Sequence, residues 1–318
     1  MVLDLSFEGD NLLLAVATKE GLFSYRLTGK IGTKQRYALR SKESADFGII
    51  SALKFFKGKM LFAGTMNGTL FKFQGTKAHD EQPPKVHEGP INCLVSLGNN
   101  RLISGGEDNT IIIWDINTTQ RITKVNLQVA ALELLDENYE VVVSGIAPIP
   151  DSQELYIAMR SGSIVKHNMG ELESKAPKTE IIVKGFSGTR VTDIAINDVA
   201  KNLYACCDGQ TIYQIDFSTG KAKESISIPY VPVCLALMTN NDSLVALCSN
   251  GTMFSIKPAT MMIDGEYRLG LTEPVLAIFC RTNELLAIGF KTGETEFRNS
   301  TMNYKLVCTV PNIYNSPI

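Results

Sequence analysis

An all-β fold, built as a ring of seven four-stranded antiparallel blades, is what this sequence predicts, and three observations carry the prediction. One strand-turn-strand pattern occurs seven times: an apolar run, a short turn closing on Gly or Asn, and a second β-rich run. Its turn markers fall at residues 21, 68, 109, 162, 209, 251 and 293, spaced by 47, 41, 53, 47, 42 and 42 residues. No apolar stripe of helical period runs for a useful length, which argues against alternating βα units. A unit repeating every roughly 40 to 50 residues, too small to bury its own faces, is the mark of a β-propeller.

The seven hairpins occupy 12–25, 60–73, 87–115, 155–166, 203–213, 244–255 and 285–297. Gly or Asn at the marker supplies the positive φ that a tight hairpin turn needs, and Asn67-Gly68 and Asn250-Gly251 read as two-residue turns of this kind. A further apolar run precedes each hairpin, at 2–7, 49–55, 91–97, 142–149, 191–197, 233–238 and 275–279, and forms the first strand of its blade. Outer fourth strands are expected at positions such as 35–39 and 121–127, and the run 304–310 completes the last blade. The 53-residue interval holds extra strand-like material at 129–135 and 140–144, an insertion or a degraded extra hairpin. Residues 1–318 are therefore expected to form one closed domain.

Composition fits an ordinary globular chain, with 44% hydrophobic and 20% charged residues, enough apolar surface for a large core. A net charge of −2 removes any global electrostatic reason to bind nucleic acid, and no window reaches membrane-spanning length. The first ten residues carry acids and no base ahead of a short apolar run, unlike a secretory signal, so a cytoplasmic location is expected. The seven cysteines (93, 206, 207, 234, 248, 280 and 308) lie inside strand-like runs and read as reduced packing residues. Three histidines (79, 87 and 167) form no zinc-ligand pattern, and no phosphate-binding loop is present. No cofactor, metal or catalytic constellation is expected.

The most regular copy is 87–115. Its ending, Ser104-Gly-Gly-Glu-Asp108-Asn-Thr-Ile-Ile-Ile-Trp114-Asp115, resembles the signature of WD-repeat propeller proteins, which sets a turn aspartate six residues before a Trp-Asp pair. The resemblance implies a hydrogen-bonded tetrad of His87, Ser104, Asp108 and Trp114 within one blade. One departure is that His87 is followed by Glu88-Gly89 and not preceded by glycine. A His/Ser/Asp trio also suits a hydrolase, but the tryptophan and the repeat context account for all four residues structurally. The other copies carry Phe73, His167 or Ile256 where this one has Trp114, so packing is expected to replace hydrogen bonding there.

Two further groups are candidates for partner contact. Arg26, Lys30, Lys34, Arg36, Arg40 and Lys42 form a basic run without acids, best suited to a charged edge strand and available to an acidic partner. The loops between second and third strands, with the segments entering each first strand, project from one face of a propeller. That face should carry Lys19, Glu20, Phe47, Met66, Asn67, Glu107, Arg160, Phe186, Arg190, Tyr230 and Lys291.

The strings 78–91 and 102–108 with Trp114, then Gly145-Ile-Ala-Pro-Ile-Pro150 and 155–162, resemble the first propeller of the echinoderm microtubule-associated protein-like family, over roughly 47–220. That resemblance implies a non-enzymatic scaffold contacting tubulin. The alternatives are an adaptor propeller in RNA processing, ubiquitination or trafficking, and, in a different class, a propeller hydrolase.

Overall fold

The computed structural model describes residues 2–8, 11–18, 21–28, 30–37, 49–56, 60–74, 77–78, 84–97, 100–127, 142–149, 152–169, 179–183, 189–217, 219–238, 242–271, 273–280 and 285–310. Each blade comes from one contiguous stretch of chain. Blade 1 comprises β1 (Val2–Glu8), β2 (Asn11–Thr18), β3 (Gly21–Thr28) and β4 (Lys30–Tyr37). Blade 2 has β5 (Ile50–Phe56), β6 (Met60–Thr65), β7 (Leu70–Gln74) and the two-residue β8 (Lys77–Ala78). Blade 3 has β9 (Ile91–Leu97), β10 (Arg101–Gly106), β11 (Thr110–Asp115) and β12 (Arg121–Asn126). In blade 4 come β13 (Val143–Pro148), β14 (Glu154–Met159), β15 (Ile164–Asn168) and β16 (Thr179–Val183). Blade 5 follows with β17 (Val191–Asn197), β18 (Asn202–Cys207), β19 (Thr211–Asp216) and β20 (Ala222–Ser227). Blade 6 is β21 (Pro232–Leu237), β22 (Leu244–Cys248), β23 (Thr252–Lys257) and β24 (Met262–Arg268). Blade 7 is β25 (Pro274–Cys280), β26 (Leu285–Phe290), β27 (Thr295–Asn299) and β28 (Lys305–Val310).

These seven sheets are four-stranded antiparallel meanders, each ordered as in the sequence. Their first strands touch in ring order, and β25 lies against β1 to close it. Strands at the middle of a blade, such as β10 and β14, are buried on both faces because each face packs on a neighbouring blade. The core is accordingly a set of inter-blade layers. Leu61 and Phe73 of blade 2 pack with Leu14's neighbours Leu13 and Ala15 of blade 1; Ile91, Leu102 and Trp114 pack with Phe62 and Leu70; Leu155 and Ile157 pack with Ile103 and Ile113. Burying each such side chain contributes roughly 1.5–3 kcal/mol, which is why the blades cohere without a shared strand.

A bulge shapes the inner ring. In β5, β9, β13, β17, β21 and β25 the pairing slips by one residue just after the first pair, leaving Ser51, Asn92, Ser144, Thr192, Val233 and Val275 as the bulged residues. A bulge re-aims its side chain. Three of these then reach the next blade: Ser51 Oγ donates to Ile91 O (2.7 Å), Asn92 Nδ2 to Val143 O (2.9 Å) and Thr192 Oγ1 to Pro232 O (3.0 Å). Two carboxylates add similar links, Asp4 accepting from Phe55 N–H at 2.5 Å and Asp193 from Leu235 N–H at 2.8 Å.

The hairpin loops differ from expectation in one respect. Asn67-Gly68 is not a two-residue turn: in blade 2, Gly68 N–H donates to Thr65 O while Thr65 N–H donates to Thr69 O, enclosing three residues. Blades 4 and 7 repeat the pattern around Gly162 and Gly293. This is a type I turn followed by one left-handed residue, which matches the strand twist as well as a two-residue primed turn does. The left-handed residues are Gly68, Asn109, Gly162, Gln210, Gly251 and Gly293, with φ between 60° and 93°. In blade 5 the marker is therefore Gln210 and not Gly209, and the outer strand of blade 1 is β4, earlier than 35–39. Residues 129–135 lie outside the described residues.

Candidate functional site

The tetrad forms in blade 3. The chain reaches His87 through an extended segment whose backbone is tied to blade 2, Val86 N–H and His87 N–H both donating to Gly68 O. His87 Nδ1 lies 2.8 Å from Asp108 Oδ1, and His87 Nε2 lies 2.8 Å from Ser104 Oγ. Trp114 Nε1 donates to the same Ser104 Oγ at 3.0 Å. A carboxylate only accepts, so Nδ1 carries the imidazole proton; the serine hydroxyl then donates to Nε2 and accepts from the indole. Thr110 Oγ1 and Glu88 N–H also donate to Asp108, at 2.7 and 3.1 Å, and Lys124 Nζ lies 3.5 Å from its Oδ2. Burial pushes the Asp108 carboxyl upward, but the hydrogen bonds from His87, Thr110 and Glu88 overcome it and hold the group well below the usual carboxylate range.

Connectivity here is that of a hydrolase triad, yet the chemistry is closed off. Ser104 and His87 are fully buried, and the serine oxygen that would attack a carbonyl is occupied by the indole N–H. Gly106 lies directly against the pair, since a Cβ at that position would stand 2.8 Å from Asp108 Oδ1. The tetrad therefore holds the β10–β11 loop and the lead-in segment in place and leaves no room for a substrate.

What the tetrad positions is one end of the ring. In six blades the first loop residue after the second strand donates its N–H to the carbonyl just before that blade's inner strand: Met66 to Ile49, Glu107 to Pro90, Arg160 to Val142, Asp208 to Arg190, Ser249 to Val231 and Lys291 to Glu273. Loop and entering segment thus lie side by side, as the sequence pattern required. Ile49 and Met66 are 54% and 49% exposed, an apolar pair on blade 2. Asn67 beside them accepts from Thr65 Oγ1 at 2.5 Å. Glu107 and Arg160 are not independent contact residues, because they form a 3.0 Å ion pair across blades 3 and 4. Arg190 is exposed next to Asp208, which accepts its N–H at 2.8 Å; Lys291 pairs with Glu273 at 3.2 Å. Tyr230 is half-buried, with the Arg268 guanidinium 5.6 Å above its ring. Lys19, Glu20, Phe47 and Phe186 lie outside the described residues. Of the basic run, Arg26 sits on β3 and Lys30, Lys34 and Arg36 on β4, the outer edge of blade 1; Arg40 and Lys42 lie outside the described residues. Among the described residues no cluster of His, Cys, Asp or Glu is arranged to hold a metal.

Comparison with known proteins matches residues 87–179, blades 3 and 4 as far as the start of β16, to the family described as tRNA methyltransferase TRM82 WD40 domain. Blades 3 and 4 of this β-propeller thus resemble a WD-repeat domain. Two curated Arabidopsis thaliana proteins are similar to part of this propeller. Zinc finger CCCH domain-containing protein 62 is 36% identical over 81 residues, 24% of this chain and 19% of its own length. Zinc finger CCCH domain-containing protein 59 is 38% identical over 68 residues, 19% of this chain and 14% of its own. The propeller thus spans less than a fifth of either relative. The crystal structure of the computationally designed Ika8 protein superposes with a TM-score of 0.65 at 18% identity, covering 92% of this chain and 81% of that one, a likeness of fold.

Blades 2, 5, 6 and 7 add hydrogen bonds of another kind to the packing. Polar side chains near the tryptophan position reach forward to the turn between third and fourth strands of the following blade. Lys72 Nζ donates to Ile116 O (2.9 Å) and Thr119 Oγ1 (3.0 Å) of blade 3. Gln214 Nε2 donates to Pro258 O of blade 6 at 3.1 Å. Ser243 Oγ bonds both Ser255 Oγ (2.8 Å) and Tyr304 Oη of blade 7 (3.0 Å). In blade 7, Arg298 stands at the tryptophan position itself, in a buried pair with Glu296 at 2.7 Å. Sequence reading missed the forward ties because their partners lie in turns 44 to 61 residues away. At the tryptophan position itself Phe73 and Ile256 are buried and packed as expected, while in blade 4 His167 is buried with its Nδ1 3.1 Å from Thr179 Oγ1 and its Nε2 without a partner.

Proposed function

We propose that this propeller is a non-catalytic scaffold of the cytoplasm whose loop face docks a protein partner within an RNA-modifying or RNA-processing assembly. The observation that carries the reading is the match of 87–179 to the WD40 domain named for a tRNA methyltransferase. Those residues build blades 3 and 4, where the tetrad fixes the loops and the Glu107–Arg160 pair joins them. The exposed Ile49 and Met66 adjoin this region and supply an apolar anchor, while the flanking charges of both signs suit a protein rim better than a polyanion. RNA handling then belongs to the partner. The non-catalytic part is supported by the sealed Ser104, the member of the trio that would act as nucleophile.

Affinity purification from native lysate, with and without nuclease, tests the reading when the intact chain is compared with Met66→Glu and Arg160→Glu. RNA-modifying or RNA-processing proteins should co-purify with the intact chain, resist nuclease and be lost from the face variants. Retention of every partner by both variants would sink the loop-face assignment. The microtubule reading rests on sequence resemblance alone, and none of the matched proteins described above is named for tubulin. Its test is co-sedimentation with microtubules, where pelleting of the intact chain, abolished by neutralising the basic residues of 26–42, would replace the RNA-linked reading.

A further inference from the structure

Nine large apolar side chains are exposed among the described residues, and five of them, Met262, Ile263, Met302, Leu306 and Val307, fall on β24, β28 and the turn leading into β28. This concentration lies on the outer rim of blades 6 and 7, apart from the loop face. Tyr267 makes the two outer strands one surface. Its hydroxyl donates to Asn303 Oδ1 at 2.6 Å, and its ring stands edge-on 5.0 Å from Tyr304. Gly265 permits this, since a Cβ there would lie 2.5 Å from the Tyr267 hydroxyl.

A fourth strand is the outer edge of its blade, where charge ordinarily discourages other chains. β12 carries Arg121 and Lys124, and β20 carries Lys223 and Glu224. β28, Lys-Leu-Val-Cys-Thr-Val, has a single charge at its first residue. We propose that this rim of blades 6 and 7 is where a second copy of the chain docks, giving a two-fold symmetric dimer.

The charge pattern selects that occupant. A two-fold contact brings a patch against itself, so the patch must be self-complementary. Asp264 and Glu266 lie on β24 and Lys305 begins β28, and Lys257 and Asp264 form an exposed 2.9 Å pair at the border of the apolar centre. A copy turned by half a revolution can oppose acid to base at the border and keep apolar centre on apolar centre. An anionic membrane or a nucleic acid would call for a basic surplus without interspersed acids. Methionine and branched side chains adapt to such a contact, and five partly exposed ones amount to a few hundred Å², roughly the centre of an interface of about 800 Å² per partner.

Sedimentation velocity of the full chain over a micromolar concentration series tests the proposal. The intact chain should pass from monomer to dimer mass as concentration rises. Val307→Lys and Met262→Glu should each weaken self-association tenfold or more, while Ala222→Lys on β20 and Met66→Glu on the loop face leave it unchanged. Unaltered thermal transitions identify lost docking as distinct from lost folding. A photo-crosslinking residue in place of Leu306 should capture a peptide containing 262–263 or 302–307 of the second copy. A chain that stays monomeric at every concentration overturns the proposal, as does a dimer that keeps full strength in both rim variants. Either failure leaves the loop-face reading standing, because Met66 lies outside the rim.

Discussion

Blade 3 and blade 7 solve the same problem in opposite ways. Each places a polar side chain, Trp114 or Arg298, at the end of its third strand, facing its second strand across from Leu102 or Leu286. In blade 3 the indole N–H is satisfied within the blade, through Ser104, His87 and Asp108, while Ile103 and Ile113 of the same two strands pack on blade 4. In blade 7 the guanidinium is neutralised by Glu296 and also donates to Tyr304 O, while the free Glu296 oxygen accepts from Gly270 N–H at 3.0 Å on the connection from blade 6. Blades 2, 5 and 6 follow the outward-reaching strategy with neutral groups or a lysine. The difference teaches that the tetrad is one of several ways to satisfy a polar group at this position, distinguished by keeping all of its partners within one blade.

Removing one partner from the blade 7 pair gives the largest expected effect. Glu296→Ala leaves Arg298 buried without a counter-charge and should cost about 3–5 kcal/mol in urea denaturation, whereas the double change Glu296→Leu with Arg298→Met should recover most of the loss. Next comes the tetrad: Asp108→Ala deprives His87, Thr110 and the Glu88 N–H of their acceptor, for about 2–3 kcal/mol by the same measurement. A smaller loss, about 1 kcal/mol, is expected for Lys72→Met, because the stem still packs and the turn of blade 3 can turn its carbonyl to water. If Lys72→Met cost as much as Asp108→Ala, the distinction between inward-tied and outward-tied polar groups would fail.

The smallest effect separates blades 3 and 4 by pH. Burial lowers the His167 pKa from its ordinary 6.5, so its contribution is complete above about pH 6.5 and is lost as pH falls toward the depressed value. Asp108 also has a lowered pKa, but its contribution is complete above the usual carboxylate range near pH 4 and fades only below it. Stability measured from pH 7 to 5 should therefore decline through His167 and flatten in His167→Phe. An unchanged slope in that variant would assign the decline elsewhere.

Much of the architecture was legible because it is written in side chains at fixed local spacing. Alternating apolar runs and Gly or Asn at the loop markers located every hairpin, and the tetrad was readable because all four members are side chains within 28 residues of each other. The loop length was misread since Asn-Gly suits both a two-residue turn and the last two positions of a three-residue loop. The outward ties were illegible for a different reason. Their acceptors are largely backbone carbonyls, Ile116 O and Pro258 O among them, and a carbonyl leaves no trace in residue identity. In six blades the loop and the entering segment could be recognised as neighbours, but the pairing of Glu107 with Arg160 depends on how neighbouring blades are set side by side.

The contiguous origin of every sheet has a consequence for how the molecule is made. Nothing in one blade's ladder waits for a distant strand, so each sheet can be completed as soon as its own stretch has left the ribosome. The ties from Lys72, Gln214 and Ser243 all run toward the blade synthesised next. A finished blade thus presents donors that the emerging one satisfies on arrival, which gives assembly a direction, with the contact of β25 on β1 as its closing step.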